Sequence, residues 1–357
     1  MAVHEGALSG PNTTTDQEED SVSSSTSLWT LIPVTLALCS TLFCVSLDAA
    51  ILATTIPKIT TYFNAPDDIA WYGSSYTFAT CAVQLVFGKL YQFHPSKPVF
   101  LSSLLVFEVG SLLCGVVTTS DMLIVGRTIA GLGATGLFSG CLIIIAKAVP
   151  LRVRPAHMGL VSSMHAVASV AGPIMGGALT DHLSWRWCFY INLPFGGLAV
   201  LFLLVFLPMN IPPMPDFSWP DKVKQFDLPG LMFLIPSIIC LIFALQWGGV
   251  QWPWADGRII ALFTVSGATF MIFVAIQVHQ GDRATIPLRL LKNLDIWGAV
   301  WYGVCLSAAM FIFTYYVSTP ALLLPPLPWS TKPKQPNLTP RSYQSTSKPS
   351  NTQPFAG

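Results

Sequence analysis

Nine stretches of the sequence are apolar and long enough to cross a lipid bilayer as helices. A helix needs about 20 apolar residues to span a ~30 Å hydrocarbon core, and lipid cannot satisfy an exposed backbone. Only 10% of the 357 residues are charged, whereas 52% are hydrophobic. The predicted spans cover approximately residues 29–56, 69–91, 99–118, 121–147, 158–180, 187–208, 228–247, 258–278 and 296–319. The sequence therefore predicts an all-α polytopic membrane protein surrounded by lipid.

The lengths of the loops divide these spans into groups. Short loops join the first six spans, whereas a longer Pro-rich connection precedes the seventh. The two terminal segments are polar, the first rich in Ser and acidic residues and the last rich in Pro, so neither is expected to form a packed core. The predicted order is a disordered cytoplasmic tail at 1–28, a six-span bundle at 29–208, a cytoplasmic linker at 209–227, two linker spans at 228–278, a cytoplasmic loop and ninth span at 279–319, and a disordered tail at 320–357.

The distribution of basic residues predicts the orientation, because Lys and Arg are retained on the cytoplasmic side. If the N-terminus is cytoplasmic, the outer loops between the spans hold only Lys58, Arg186 and Arg258, although the four basic residues of the last tail also lie outside. The inner side then holds Lys89, Lys97, Lys147, Arg152, Arg154, Lys222, Lys224, Arg283, Arg289 and Lys292. We therefore expect a cytoplasmic N-terminus, in the cell membrane or alternatively the vacuolar membrane. This topology makes Asn337, in the sequon Asn-Leu-Thr, a glycosylation candidate.

Three ionisable residues stand out well inside the predicted spans: Asp48, Glu108 and Arg127. A charge at the bilayer centre costs at least ~2.5 kcal/mol, so each is a functional candidate. A rise of about 1.5 Å per residue places Asp48 and Arg127 at similar depth in the outer half of the membrane. They are candidates for a buried pair that exchanges with a proton, and burial favours a protonated Glu108. The alternative is a static ion pair beside a neutral packing glutamate.

The fourth and fifth predicted spans carry closely spaced glycines. Gly131, Gly133 and Gly136 fit the dinucleotide pattern G-x-G-x-x-G, but they lie inside a span and not between a strand and a helix. Gly136 and Gly140 have the G-x-x-x-G spacing that lets two helices approach closely, as do two glycines of the fifth span. A proline in the fifth span weakens that helix where bending is easiest. The residues of that span are Gly172, Pro173, Gly176 and Gly177.

Several functional classes lack support in the sequence. No H-E-x-x-H, G-x-S-x-G or P-loop motif is present, so we expect no enzymatic activity. His157 and His165 have no carboxylate companion, and the eight cysteines lack metal-ligand spacing, so neither a metal nor another cofactor is expected. The net charge of +1, without a basic run, argues against nucleic acid as a partner. The expected partners are the lipid bilayer, a small-molecule substrate and protons.

Four segments together resemble the major facilitator superfamily, specifically its fourteen-span drug:proton antiporter branch. They are LDAAILATTIPKI at 47–59, GRTIAGLGATG at 126–136, AGPIMGGALTDHLSWRWCFYINLPFGG at 171–197 and LQWGG at 245–249. The second resembles the fourth-span motif whose arginine, here Arg127, is associated with proton coupling. The third is similar to the antiporter motif, followed by a W-R-W-x-F-x-I-N-x-P signature. The resemblance covers about residues 29–319.

This resemblance implies proton-driven export of a small hydrophobic molecule, such as a drug, a toxin or a secondary metabolite. The loop at 88–98 resembles the superfamily's loop motif only in part, with Gly88, Lys89 and Lys97 as its remnants. The family architecture implies six spans, two linker spans and six more, so we expect a chain truncated in its second half. The tail after Ser318 is then the product of a frameshift, a mis-spliced exon or a true truncation. The alternative function is a non-transporting relic, or a membrane partner of an intact relative.

Overall fold

The computed structural model describes residues 28–206, 227–281 and 293–323. Within these ranges the regular structure is helical, with one isolated bridge between Gly248 and Trp252 and no β-strand. A 3-10 turn, Pro66–Asp68, follows the first helix. The helices are α1 (Leu28–Phe63), α2 (Ile69–Phe93), α3 (Ser96–Val116), α4 (Ser120–Ala148), α5 (Arg154–His182), α6 (Trp187–Tyr190), α7 (Asn192–Phe206), α8 (Leu228–Trp247), α9 (Gly257–Gln280) and α10 (Leu294–Leu323).

Seven segments of the described chain are long and apolar enough to cross a membrane: α1, α3, α4, α5, α6 with α7, α8 and α9. The 25-residue helix α2 is more polar, and the described apolar part of α10 is shorter. The predicted all-α polytopic membrane fold is confirmed. Several helices begin at polar residues that accept backbone N–H bonds: Thr119 bonds Met122 N at 3.3 Å, and Asp227 bonds Gly230 N at 2.8 Å.

Two helices differ from the predicted spans. Helix α1 continues about two turns beyond residue 56, where Lys58 bonds the Thr180 carbonyl at 2.6 Å and Phe63 packs against Trp185. These contacts with the end of α5 and with Trp185 stabilise the additional turns. The sixth predicted span is two helices, α6 and α7, separated at Ile191. Pro194 explains the break, because proline removes a hydrogen bond to the residue four positions earlier and its ring clashes there.

The first six predicted spans pack into one helical bundle. The most extensive pairings join α3 to α4, α1 to α5, α2 to α4 and α1 to α7. Its main core contains buried side chains from α1 to α5 and from α7, among them Leu38, Phe107, Leu137 and Val161. This arrangement brings residues from α1, α2, α3, α4 and α7 to one place at the centre of the bundle.

Helices α8 and α9 form an antiparallel hairpin that packs on α2. Ser237 and Ser266 join the two helices by reciprocal bonds, each hydroxyl donating to the other residue's carbonyl at 2.9 Å. Aromatic rings attach the hairpin to the bundle, because Trp71 of α2 lies 5.1 Å from Phe243 and 6.2 Å from Trp247 between ring centroids.

The chain divides into two compact units, Met1–Trp297 and Gly298–Gly357. The second unit contains most of α10. The predicted tail at 1–28 lies outside the described residues except for Leu28, and the linker at 209–227 lies outside them except for Asp227. Most of the predicted loop after α9 and the tail beyond residue 323, including Asn337, also lie outside them.

Candidate functional site

Glycines of α4 allow the two neighbouring helices to approach closely. A Cβ at Gly131 would lie 2.5 Å from the Tyr76 carbonyl oxygen in α2, and one at Gly133 would overlap the backbone of Phe107 in α3. On the turns that follow, Gly136 contacts Ser103 and Gly140 contacts the Tyr91 ring. A larger side chain at these positions would force α2 or α3 away from α4. These four glycines therefore lie where α4 packs against α2 and α3.

The glycines of α5 face α1 only in part. A Cβ at Gly172 would lie 2.5 Å from that of Ala50 and 3.0 Å from its carbonyl carbon, and one at Gly176 would overlap the Thr54 hydroxyl. Gly177 has no atom within 4 Å of the place where a Cβ would be. Pro173 lies inside the continuous helix α5. The structure thus brings two of the three predicted glycines against α1 and leaves the third on another face.

Asp48 and Arg127 form an ion pair in the centre of the bundle. The Arg127 guanidinium donates through Nη1 to Asp48 Oδ2 at 2.5 Å, and both side chains are 1% exposed. A second ion pair, Lys58 with Asp181, is by contrast exposed. Two opposite charges at hydrogen-bond distance and away from water interact much more strongly than a surface pair.

Arg127 has two further contacts, both from α2. Its Nε donates to the Tyr72 carbonyl oxygen at 3.2 Å, and its guanidinium carbon lies 4.4 Å above the centre of the Tyr76 ring. A desolvated cation over an aromatic ring gains about 2 kcal/mol. Arg127 therefore keeps favourable contacts that do not depend on the carboxylate of Asp48.

Asn192 is a member of this site that the sequence reasoning did not single out. It is fully buried at the first residue of α7, and its Nδ2 donates to Asp48 Oδ1 at 3.2 Å and to Ser111 Oγ at 3.3 Å. The signal in the sequence was an amide inside an apolar stretch, within the W-R-W-x-F-x-I-N-x-P segment. An uncharged side chain was not counted among the ionisable candidates.

Glu108 of α3 lies beside α7. Its carboxyl group contacts Gly196, where a Cβ would overlap Oε1. Both carboxyl oxygens are buried, and neither has a hydrogen-bond partner among the described residues. Glu108 is close enough to interact electrostatically with Asp48 and Cys44 of α1. The structure thus brings all three predicted ionisable residues into one region and makes an ion pair of two of them.

The residues of the predicted loop motif lie apart from this site. Lys97 donates to the Leu204 carbonyl oxygen at 3.1 Å, which joins the start of α3 to the end of α7. Lys89 interacts electrostatically with Asp227 at the start of α8. A Cβ at Gly88 would have no atom of another residue within 4 Å. His157 and His165 bond hydroxyl groups of Thr35 and Ser46 in α1, at 2.9 Å and 3.1 Å.

A bundle of apolar helices with a buried Asp–Arg pair at its centre defines a multi-pass membrane protein. A family model described as the Major Facilitator Superfamily matches residues 38–327, which is most of the chain. The protein belongs to this superfamily.

Fungal transporters are among its relatives. The chain is 50% identical over 291 residues to "Efflux pump roqT" of Penicillium rubens, covering 81% of this chain and 54% of that protein. It is 52% identical over 287 residues to "Efflux pump aunC" of Aspergillus niger, covering 80% of this chain and 54% of that protein. Among solved structures, a bacterial homologue of the human lysosomal transporter Spinster aligns at 12% identity and a TM-score of 0.44, covering 73% of this chain and 78% of that one. The chain thus spans about half the length of the curated relatives it matches.

Proposed function

We propose that this chain belongs to a proton-coupled exporter of small hydrophobic molecules, in which Asp48 exchanges its bond to Arg127 for a proton. The observation that carries the proposal is the fully buried ion pair at the centre of the bundle. Two of the relatives described above are named efflux pumps, which supports export as the direction of transport. The drug, toxin or secondary-metabolite class of substrate is part of the proposal.

The exchange has a physical basis in the contacts of Arg127. When Asp48 binds a proton, its attraction for the guanidinium falls, and an isolated buried charge is costly. The Tyr72 carbonyl and the Tyr76 ring remain as partners for Arg127 and reduce that cost. The pair therefore has two states that differ by one proton and by the position of one side chain. A change of this kind is suited to bias a transporter between two conformations.

Glu108 is the second proposed proton carrier. An ionised carboxylate against Gly196 has no hydrogen bond in the described chain to replace its lost hydration, so a proton there removes a large energetic penalty. Asp48 is near enough for its charge to act on Glu108. Protonation of one carboxyl group and ionisation of the other are then coupled through space.

The glycines and Pro173 are proposed to let the helices move past each other during transport. Gly172 and Gly176 bring α5 against α1, the helix that carries Asp48. Gly131 and Gly133 hold α2 and α3 close to α4, which carries Arg127. Close backbone contacts without large side chains let helices slide or rock as rigid bodies.

The remaining parts of the proposal concern topology. We propose a cytoplasmic N-terminus, with α8 and α9 as the two linker spans of the fourteen-span branch. Their hairpin packs on α2 through aromatic rings, which is compatible with a pair of spans added to a six-helix bundle. The cell membrane is the proposed location and the vacuolar membrane the alternative.

Reconstitution into liposomes tests the proposed function. Purified chain in vesicles with an imposed pH gradient should transport ethidium, used as a fluorescent lipophilic probe, and Asp48→Asn should abolish gradient-driven flux. Asp67→Asn is a matched control, because Asp67 is exposed and outside the site. Flux that is equal in wild type and Asp48→Asn would contradict the role of Asp48. Absence of flux from this chain, in vesicles where a full-length relative transports the probe, would favour the alternative of a non-transporting relic or a membrane partner of an intact relative.

A further inference from the structure

Asn192 has an unused acceptor next to the carboxylate whose protonation drives the proposed cycle. Its Nδ2 donates to Asp48 Oδ1 and to Ser111 Oγ, whereas its own Oδ1 is buried without a hydrogen-bond partner in the described part of the chain. A buried acceptor left unpaired typically costs about 1–3 kcal/mol. An amide in this position is therefore not optimised for the ionised form of Asp48 alone.

A side-chain amide has a property that suits a neighbour with two protonation states. Its oxygen accepts and its NH₂ group donates, and the two ends have nearly the same size. A half turn about the Cβ–Cγ bond therefore exchanges a donor for an acceptor without changing the space that Asn192 fills. Ser111 can follow the exchange, because a hydroxyl group accepts in one orientation and donates in the other.

We propose that Asn192 is a positioning residue that holds Asp48 in both of its protonation states. With ionised Asp48, Nδ2 donates to the carboxylate, as in this structure. When a proton from solvent binds Asp48 Oδ1, the amide turns, and Asn192 Oδ1 accepts the new O–H of the carboxylic acid. The Ser111 hydroxyl then donates to the same amide oxygen. This inference rests on the proposed function, because it requires Asp48 to bind a proton.

Other groups that face Asp48 do not offer the same pair of bonds. The titratable and charged residues that interact with it electrostatically are Cys44 of α1, Tyr76 of α2, Glu108 and Cys114 of α3, Arg127 of α4 and Cys188 of α6. From α5, His165 bonds Ser46, two residues before Asp48. Helix α7 contributes Asn192 and no ionisable residue. Among the hydrogen bonds of the described chain, Asp48 Oδ1 accepts from Asn192, and Oδ2 accepts from Arg127.

Infrared difference spectroscopy of the full chain in detergent micelles tests the inference. Acidification of the wild type should produce a carboxylic C=O band that is absent from Asp48→Asn. In Asn192→Leu this band should appear at higher wavenumber, because the acid O–H has lost its acceptor. Gln84→Leu removes a different side-chain amide contact, the part-buried 3.0 Å bond to Ser139, and should leave the band unchanged.

A second measurement uses the wild-type chain and does not depend on the folding of a variant. A side-chain amide band of the wild type, identified by its displacement on isotope labelling of asparagine, should shift with the same pH midpoint as the Asp48 band. An Asp48 band that does not move in Asn192→Leu, or an amide band that does not respond to pH, would overturn the inference alone. If no Asp48 band appears on acidification, the proposed function fails and the inference fails with it.

Discussion

Asp48→Asn retains the shape of the side chain but removes the charge that faces Arg127. The Nη1–Oδ2 distance is 2.5 Å and both side chains are 1% exposed, so water and salt screen the pair very little. Removal of one partner from a buried ion pair costs about 3–5 kcal/mol, because the other charge is left uncompensated. The contacts of Arg127 with Tyr72 and Tyr76 persist. We therefore expect a loss near the lower end of that range, about 3 kcal/mol.

A double variant, Asp48→Asn with Arg127→Leu, shows whether the two side chains stabilise each other. Arg127→Leu alone leaves a buried carboxylate and should also be destabilising, whereas the double variant contains neither charge. Replacement of both members of a buried pair by uncharged groups is often neutral or stabilising. The double variant should therefore be more stable than either single variant.

Denaturant unfolding in detergent micelles, followed by the fluorescence of the 11 tryptophans, measures these free energies. A double-mutant cycle over the four proteins gives the coupling between the two side chains. Asp67→Asn, at an exposed position, should unfold like the wild type. Single-variant losses that add in the double variant to within about 0.5 kcal/mol would show that the pair contributes no interaction, and would refute the reasoning.

Three further predictions concern helix packing and topology. Gly172→Ala should destabilise the chain by about 1–3 kcal/mol in the same unfolding assay, because its Cβ would overlap α1. Gly177→Ala should be neutral or slightly stabilising, and equal losses of stability in the two variants would contradict the packing. Ser237→Ala and Ser266→Ala should each cost about 0.6 kcal/mol and show coupling in a cycle, and independent effects would contradict the reciprocal bonds. Expressed in a fungal host, the chain should show a glycosidase-sensitive gel shift that Asn337→Gln abolishes; the absence of any shift would count against the predicted topology.

The helical architecture was predictable from the sequence because lipid imposes a simple condition on it. A backbone in hydrocarbon must form its own hydrogen bonds, so apolar length alone indicates a helix. The ends of the helices were less predictable. The extension of α1 to Phe63 depends on contacts with Trp185, more than a hundred residues away. The docking of α8 on α2 through Trp71 and Phe243 also joins distant segments, and no local pattern indicates it.

The candidate site was predictable where charge and depth were sufficient. Asp48 and Arg127 stand out because charges are costly in a membrane, and their similar depth follows from the rise of a helix. The role of Asn192 depends on the rotation of α7 relative to α1 and α3, which spacing does not determine. For the same reason the sequence did not distinguish Gly176 from Gly177. Consecutive residues of a helix differ by a rotation of about 100°, which places these two glycines on different faces of α5.

Proton uptake by the purified chain tests the central claim most directly. The number of protons bound is measured in weakly buffered micelles as the pH is shifted from mildly alkaline to mildly acidic. Asp48→Asn should bind fewer protons than the wild type. The Asp67→Asn control should bind as many as the wild type, once the protons bound by the exposed carboxylate of Asp67 are subtracted. If Asp48→Asn binds as many protons as the wild type, the buried pair is a static structural element, and the claim that it exchanges with a proton is wrong.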